Sequence, residues 1–298
     1  TPLYSSAASD VYKRQTLHRQ GAGYVGRHAP DFMRTKEKWF RGIELSYGPD
    51  GGVYVLDWSD IGECHENDGI HRTSGRIFRI SHGKTEAAEL NLDNLSNDKL
   101  ARMIGVRNEW HSRQARQLLQ QRAAAGQDLT KAALTVMNTY KLTTSTPTAL
   151  RAMWTLNAIG SADENWLLDQ SNDKREHIRT WAIKLLIDQG PLSKETQKRF
   201  IEMAAKDKAG LVQLHLAGAL QQLPYKDRWP LAAALVSHDT FAKDPVLPLM
   251  VWYGINPAVP EHSAEAIKLV AQCKLPKVRQ FIAQRLAGKP SKAKKDNQ

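Results

Sequence analysis

The hydrophobic pattern of this chain changes its period near residue 95, and that change limits what the chain can fold into. Between residues 42 and 80 the pattern consists of short segments rich in β-branched and aromatic residues, which is typical of strands. From Leu95 to residue 288, apolar residues recur about every 3.6 positions, which is typical of helices. The sequence therefore predicts a mainly α protein, in which a HEAT-like α-solenoid is preceded by a small antiparallel β unit.

Three strands are predicted in the β unit, and a tight turn joins the first two. Pro49 presets a turn dihedral, Asp50 can bond the local backbone, and Gly51 or Gly52 can adopt a positive φ. Three short strands need further structure to cover their apolar face, so we expect them to belong to a larger sheet. The predicted strands are 39–46, 52–58 and 75–80.

The helical part carries a coarse internal repeat. Segments 148–156, 177–186 and 210–220 resemble one another and begin about 30 residues apart, a spacing that fits compact helical repeats. Each predicted hairpin has an apolar stripe that only a stacked neighbour can cover. The aspartate at Asp173, shortly before Arg179, resembles the inner-helix motif of HEAT repeats. The other predicted helices are 95–104, 110–124, 129–142, 164–170, 194–205, 229–237, 246–253, 263–273 and 277–283.

The remaining segments complete the predicted domain organisation. Residues 1–15 resemble a translated adapter sequence and are predicted to be a non-native leader, so that the natural protein would begin further upstream. The glycines of 16–38 predict a loop. We expect a β unit over 16–81, a linker over 82–94, helical repeats over 95–288 and a disordered basic tail over 289–298.

The net charge, the length of apolar runs and the positions of the cysteines argue against several classes of protein. The formal charge is +11, yet the basic residues are scattered along the helices and do not alternate with aromatic residues, so nucleic acid is not expected as a partner. No run of about 18 apolar residues is present, so no transmembrane helix is predicted. Cys64 and Cys273 lie far apart in the sequence, which excludes a disulfide framework.

Two motifs in the β unit and two in the helices carry a family resemblance. The strand motifs are GPDGGVYVLDW at 48–58 and SGRIFRI at 74–80, and the helical ones lie at 108–120 and 148–156. Together they resemble the sorbosone and glucose dehydrogenase-like β-propeller plus HEAT-repeat family, the membrane-bound-dehydrogenase-like proteins of Planctomycetes and Verrucomicrobia. The resemblance covers about residues 32–288. It implies that the β unit is the last blade of a propeller.

The resemblance also implies a parent protein larger than this chain. Such a parent would be secreted or periplasmic and would oxidise a sugar or a related alcohol, with pyrroloquinoline quinone or haem as its electron acceptor. The family's catalytic residues belong to earlier blades, so none is assigned here. A propeller site forms where several blades meet, so we expect the fragment itself to lack an active site and to contact upstream blades of its parent. The alternative is a HEAT-repeat binding scaffold for a protein or glycan partner.

An acidic segment after the second strand is the candidate ion site. Its proposed ligands are Asp57, Asp60, Glu63 and His65, and Cys64 lies among them. Oxygen ligands suit Ca²⁺, whereas a Cys/His pair suits zinc or another transition metal. The alternative is that these side chains cap turns and pair with Arg72, Arg76 and Arg79. All three interpretations stay open at the level of sequence.

The aromatic residues and histidines of the predicted helices are interpreted mainly as structural residues. The six tryptophans in predicted helices are expected to be core residues, although a tryptophan-lined groove for sugar or peptide is the alternative. His177 and His215 lie among apolar neighbours and are expected to be satisfied core or rim residues. No motif of a serine hydrolase, zinc protease or nucleotide-binding protein occurs.

Overall fold

The fold was obtained as a computed structural model, which describes residues 11–12, 15–31, 33–34, 40–58, 75–83 and 91–288. These residues form two compact units. Unit 1 contains the residues up to His18 and those from Val25 to Ser161. Unit 2 contains Arg19–Tyr24 and the residues from Ala162 onward.

Seven strands precede the helices in the described part of the chain. β5, β6 and β7 form a three-stranded antiparallel sheet with β6 in the centre, as the sequence predicted. β1 pairs with β4, and β2 pairs with β3. The strands are β1 (Val11–Tyr12), β2 (Gln15–Gln20), β3 (Gly23–His28), β4 (Met33–Arg34), β5 (Gly42–Tyr47), β6 (Val53–Asp57) and β7 (Arg76–Ile80).

The prediction of a loop over 16–38 is wrong, because β2, β3 and β4 lie there. Every residue of β2 is exposed, so this strand shows no apolar alternation from which it could be predicted. Backbone pairing holds β2 to β3 regardless of side-chain polarity. Gly21 turns the chain between the two strands with a φ of 56°, a conformation that glycine adopts without steric cost.

One face of the three-stranded sheet carries a small hydrophobic core. Val55 in β6 is buried against Phe40, and the two side chains pack with Phe78 and Ile80 of β7 and with Met33. The rings of Phe40 and Phe78 lie 5.9 Å apart at 56°, a tilted arrangement that aromatic pairs favour. The register explains the grouping, because Leu45, Val55 and Phe78 are cross-strand partners.

The rest of the described chain is helical, and each predicted helix is present within a few residues. Ser96, Asn108, Ser145, Asp163 and Ser193 start five of the helices by accepting a backbone N–H bond. The helices are α1 (Asn97–Met103), α2 (Glu109–Ala124), α3 (Thr130–Leu142), α4 (Thr146–Ala158), α5 (Glu164–Gln170), α6 (Glu176–Asp188), α7 (Lys194–Lys206), α8 (Gly210–Ala219), α9 (Arg228–Leu235), α10 (Leu247–Ile255), α11 (Ser263–Gln272) and α12 (Pro276–Ala287).

The helices pack in two layers within each unit. In unit 1, α1 contacts α3 and α2 contacts α4, while α1–α2 and α3–α4 pack as neighbouring pairs. In unit 2, α6, α8, α10 and α12 contact one another in order, and α7, α9 and α11 do the same. Contacts between every second helix are the packing of a helical repeat array. The predicted fold class, mainly α helical repeats after a small antiparallel β unit, is confirmed.

Within the described part of the chain, every helix is too short or too polar to cross a lipid bilayer. Cys273 is a free, buried thiol at the end of α11. Its pKa is raised by burial, as expected for a cysteine that packs as an apolar residue.

Candidate functional site

Asp57, the first residue of the predicted ion site, is engaged in the sheet. Its side chain is fully buried at the end of β6 and accepts a bond of 2.7 Å from the backbone N–H of Arg41. Its other oxygen accepts bonds from Nε and Nη2 of Arg76, at 2.9 and 2.6 Å. The pair between Asp57 and Arg76 agrees with the alternative interpretation, in which the side chains of this segment pair with Arg72, Arg76 and Arg79.

The three other proposed ligands, Asp60, Glu63 and His65, lie outside the described residues, as do Cys64 and Arg72. The described residues contain no cluster of three or more side chains that could hold a metal ion. The ion site therefore stays a prediction.

Hydrogen bonds among its own residues stabilise the turn between β5 and β6. Gly48 donates to the carbonyl of Gly52 at 2.8 Å, and Gly52 donates to Oδ1 of Asp50 at 3.0 Å. Gly51 adopts a φ of 79°. A Cβ on Gly48 would lie 2.2 Å from the ring of Tyr54, so only glycine fits there. The predicted turn chemistry of this segment is confirmed.

Asp50 also closes the turn through an ion pair. Its carboxylate pairs with Arg79 of β7. The bond from the Gly52 N–H and the charge of Arg79 hold the pKa of Asp50 below its usual value. The turn is thus tied to the far strand of the sheet.

The same turn lies against the start of α2. Asn108 caps α2 by accepting from the Trp110 N–H at 2.9 Å, and its Nδ2 donates to the carbonyls of Gly48 and Pro49 at 3.2 and 3.0 Å. Nε2 of His111 lies 2.9 Å from the Pro49 carbonyl. A carbonyl only accepts, so Nε2 carries the proton of this imidazole. These bonds fix the turn to the first turn of the helix.

An open groove of about 700 Å³ lies beside this contact. Glu109, in the first turn of α2, pairs with Arg113 one helical turn later and with Arg151 of α4. Arg151 also donates to the carbonyl of Val106 at 3.0 Å. We call this cavity the arginine groove; it is lined by Tyr47, Gly51, Arg107, Asn108, Arg113 and Arg151, with Glu109 among them.

A smaller cavity of about 200 Å³ continues the arginine groove. It shares Tyr47, Glu109 and Arg113 with the larger one, and it adds Trp110 and Gln114. Tyr47 is 61% exposed, so its ring is available between the two cavities. Together they offer an elongated site, in contrast to a closed pocket for one small molecule.

The groove carries an excess of positive charge. Among the described residues, three arginines line it, and Glu109 is the one acidic side chain. Arg107 forms no hydrogen bond or ion pair within the part of the chain that the structure describes, and the Arg113 side chain is 67% exposed. Behind them, Arg116 packs against the Trp154 ring with its guanidinium carbon 5.6 Å from the ring centre. Burial, together with the charges of Arg113 and Arg151, lowers the pKa of Arg116 in spite of Glu109.

We expected the tryptophans of the helices to be core residues, and His177 and His215 to be satisfied core or rim residues. Nδ1 of His215 donates to the Leu211 carbonyl at 2.9 Å, and burial lowers the pKa of His215. His177 stacks beside Tyr24 with ring centres 6.4 Å apart. Trp229 is buried, as expected of a core residue, whereas the other five tryptophans of the described helices are only partly buried. These placements confirm His215 as a satisfied partly buried residue and Trp229 as a core residue.

The sequence did not predict the arginine groove, although one signal for it was present. Arg107, Asn108 and Glu109 directly precede the predicted helix 110–124, and Arg113 lies in its first turn. Spacing on α2 brings Glu109 and Arg113 together. Arg151, however, lies far along the chain and reaches Glu109 only through packing of α4 on α2.

Comparison with known proteins gives a partial match. Residues 2–84 match a family described as a domain of unknown function, DUF7133. The matched range contains the β unit and also the stretch 2–15 that the sequence predicted to be a non-native leader, a prediction that stays untested. No curated protein matches this chain.

Proposed function

We propose that this chain is the C-terminal part of a propeller-containing, dehydrogenase-like protein. In this proposal, residues 16–81 are the last blade, and the helical repeats are a structural support behind it. The parent oxidises a sugar or a related alcohol and passes the electrons to a quinone or a haem. On the same family resemblance, the parent is secreted or periplasmic.

The observation that carries this proposal is the incomplete burial of the β5–β6–β7 sheet. β5 and β7 each pair with β6 alone among the described residues. Ile43 and Tyr47 of β5 are 54% and 61% exposed, and Ile77 of β7 is 70% exposed. A small sheet with open edges and uncovered apolar residues is suited to join further strands or sheets. Neighbouring blades would provide them.

The role of the chain within that parent is structural. Asp57 and Asp50 of the β5–β6–β7 sheet are both paired with arginines of β7. Carboxylates engaged in this way hold strands together and are not poised to move a proton for a substrate. The proposal therefore assigns the oxidation to the parent and no catalytic residue to this chain.

The test of this proposal is the complete coding sequence and its activity. We expect the upstream region to encode five or more further blades. The complete protein should reduce an artificial electron-accepting dye when supplied with an aldose, and the present chain should not. An upstream region without blades would overturn the proposal, as would aldose-dependent dye reduction by the present chain alone.

A second candidate is a binding scaffold for a protein or glycan partner, which the arginine groove favours. This groove is built from residues of α2, α4 and the β5–β6 turn that are tied to one another by hydrogen bonds and ion pairs. A preformed polar groove loses little conformational entropy when a ligand binds. Saturable binding of a purified glycan or peptide to the full chain, weakened by substitutions in the groove, would support this function. Unchanged binding in those variants would exclude the groove as the scaffold's site.

A further inference from the structure

The arginine groove has the charge of a site for an anion. Arg107, just before α2, and Arg113 of α2 both line it, and Glu109 pairs with both Arg113 and Arg151. Arginine presents a planar fork of N–H donors that matches the two oxygens of a carboxylate. The single carboxylate of Glu109 cannot accept hydrogen bonds from all the N–H groups of three guanidinium groups. Carboxylates of a ligand would accept hydrogen bonds from the remaining N–H groups.

The lining also indicates what kind of molecule carries those carboxylates. No aliphatic side chain lines either cavity within the described part of the chain. The apolar surfaces that line these cavities are the aromatic rings of Tyr47 and Trp110. The neutral side chains of the groove are hydroxyls, amides and aromatic rings, including Ser46, Gln114 and Tyr47. Such groups suit a ligand that is polar over its whole length and has flat ring faces.

The shape favours a chain of linked units. The two cavities of about 700 and 200 Å³ share Tyr47, Glu109 and Arg113, so one ligand can pass from one to the other across these residues. The Tyr47 ring is exposed at that junction. The turn that begins at Tyr47 is held by Asn108 and His111, which keeps the wall of the groove in place. A repeating acidic ligand would put a ring on Tyr47 and successive carboxylates on the arginines.

We infer that the arginine groove binds an acidic oligosaccharide, with carboxylates on the guanidinium groups of Arg107 and Arg113 and a sugar ring on Tyr47. This inference deepens the scaffold function proposed above and rests on it. Arg151 has a positioning role, because it holds Glu109 and the Val106 carbonyl while contributing charge.

Calorimetry with trigalacturonate, a trisaccharide of three uronic acids, tests the inference on the full chain. We expect binding that weakens at least tenfold in the Arg107→Ala/Arg113→Ala double variant and about fivefold in Tyr47→Ala, consistent with loss of charge-assisted bonds and ring stacking. Raising the salt concentration from 50 to 500 mM should also weaken binding, because the groove is open to solvent.

Arg102→Ala is the matched control. Arg102 of α1 is 69% exposed and pairs with Asp98 one helical turn away, as the 67% exposed Arg113 pairs with Glu109. This variant should bind trigalacturonate as the wild type does. Equal weakening in Arg102→Ala would overturn the inference, since it would mark a general charge effect. Thermal melting of each variant verifies that binding is measured on folded protein.

Two further probes separate the inference from the scaffold function. The methyl ester of trigalacturonate keeps the sugar rings and loses the charges, so we expect it to bind at least tenfold more weakly. Equal binding of the ester, or tighter binding of an oligoglutamate peptide at the groove, would overturn the inference and leave the scaffold function standing. Absence of binding by all three probes at millimolar concentration would overturn the inference as well, while leaving other ligands for the scaffold to be tested.

Discussion

Two buried carboxylates, Asp57 and Asp244, accept hydrogen bonds from different kinds of donors. Asp57 pairs with the guanidinium of Arg76 and one backbone N–H. Asp244, before α10, accepts only from backbone: Val246 and Leu247 donate to one oxygen, and Ala22 donates to the other at 2.7 Å. In both cases the charge is stabilised by donors that the fold brings from elsewhere. Substitutions at these residues should therefore act on stability.

The first prediction concerns Asp57. Asp57→Ala leaves the Arg41 N–H and Arg76 without their acceptor, and we expect it to destabilise the sheet by about 2–4 kcal/mol. Asp57→Asn keeps one acceptor and should cost less. Hydrogen exchange of the β6 amides measures the local free energy of opening. Glu44→Ala, at an exposed position of β5, is the control and should leave exchange unchanged. Equal effects of the Asp57 and Glu44 variants would contradict the prediction.

The second prediction is a pH dependence at Asp244. Burial acts to raise the pKa of this carboxyl, but the bonds from Ala22, Leu247 and Val246 outweigh burial and hold the pKa below its usual value. The folded state thus favours the charged form, and this stabilisation is present above a pH of about 4 and is lost as the pH falls through the lowered pKa. Asp244→Asn should cost about 1–3 kcal/mol at pH 7.

The Asp244 prediction is measured by thermal melting of the wild type and Asp244→Asn at several pH values. The difference in melting temperature should shrink below a pH of about 4, because the wild-type carboxyl then becomes protonated. Asp239→Asn, at an exposed position of the same loop, should behave as the wild type throughout. A difference that stayed constant down to pH 2 would refute the assigned cause.

At the scale of elements, the start of α8 illustrates a close approach within unit 2. Gly210 begins this helix, and a Cβ there would lie 2.6 Å from Cα of Ala22 and 2.8 Å from the ring of Phe241. Ala22 is fully buried at this point. The turn between β2 and β3 therefore packs on α8 only because Gly210 has no side chain.

The third prediction compares two glycines of α8. Gly210→Ala should destabilise unit 2 by about 1–3 kcal/mol, because backbone of the β2–β3 turn must move to make room. Gly218→Ala has its nearest neighbour, Cε of Met250, at 4.0 Å. It should be neutral or stabilise the helix by up to about 1 kcal/mol. Urea denaturation of both variants measures these changes. A destabilisation by Gly218→Ala as large as that by Gly210→Ala would disprove the explanation.

A second feature at this scale is a polar side chain near the start of successive repeat helices. Arg179 of α6 and Gln213 of α8 each donate to a carbonyl in the loop before their own helix. Arg151 of α4 donates to the Val106 carbonyl, in the loop between α1 and α2. Arg179 also makes two bonds to Asp207, at 2.7 and 3.0 Å. These contacts provide partners for loop carbonyls that helices alone leave unsatisfied.

The fourth prediction follows from that geometry. Arg179→Lys loses the two-pronged bond to Asp207, since an ammonium cannot match the planar fork, and should cost about 1–3 kcal/mol in urea denaturation. Lys184→Ala, which breaks an exposed pair with Asp188 on the same helix, should cost at most about 0.5 kcal/mol. The reverse order of the two effects would contradict this role of Arg179.

At the scale of the whole molecule, exposed apolar residues concentrate on the β unit. Ile43, Leu45 and Tyr47 follow one another along β5, and none is buried. β5 has a paired neighbour on one side only among the described residues. An exposed strand edge of this kind favours association with other strands. The chain by itself should therefore self-associate through β5 as its concentration rises.

The fifth prediction tests that association. Ile43→Lys should lower the fraction of oligomer at a given concentration several-fold, because a charge on an edge strand opposes edge pairing. Ile267→Lys is the matched control: Ile267 is 59% exposed on α11, against 54% for Ile43. Sedimentation velocity over a concentration series measures both variants. If Ile267→Lys lowered association equally, loss of exposed apolar area in general would explain the effect.

Several parts of the molecule followed directly from the sequence. The periodic apolar residues predicted the helices, and the glycine at Gly51 predicted the β5–β6 turn. These features depend on interactions between residues close in the chain, so a local pattern records them. β2 and β3 were missed, because backbone pairing of exposed strands leaves no apolar pattern.

By itself, the sequence determined the change from a small antiparallel sheet to helical repeats, since the period of apolar residues decides which face each element buries. The tertiary structure alone decided where the arginines meet. Arg151 reaches Glu109 only because α4 packs on α2, and Tyr47 reaches the groove only because Asn108 and His111 hold the turn. Such contacts join residues that are distant in the chain, and no local pattern encodes them.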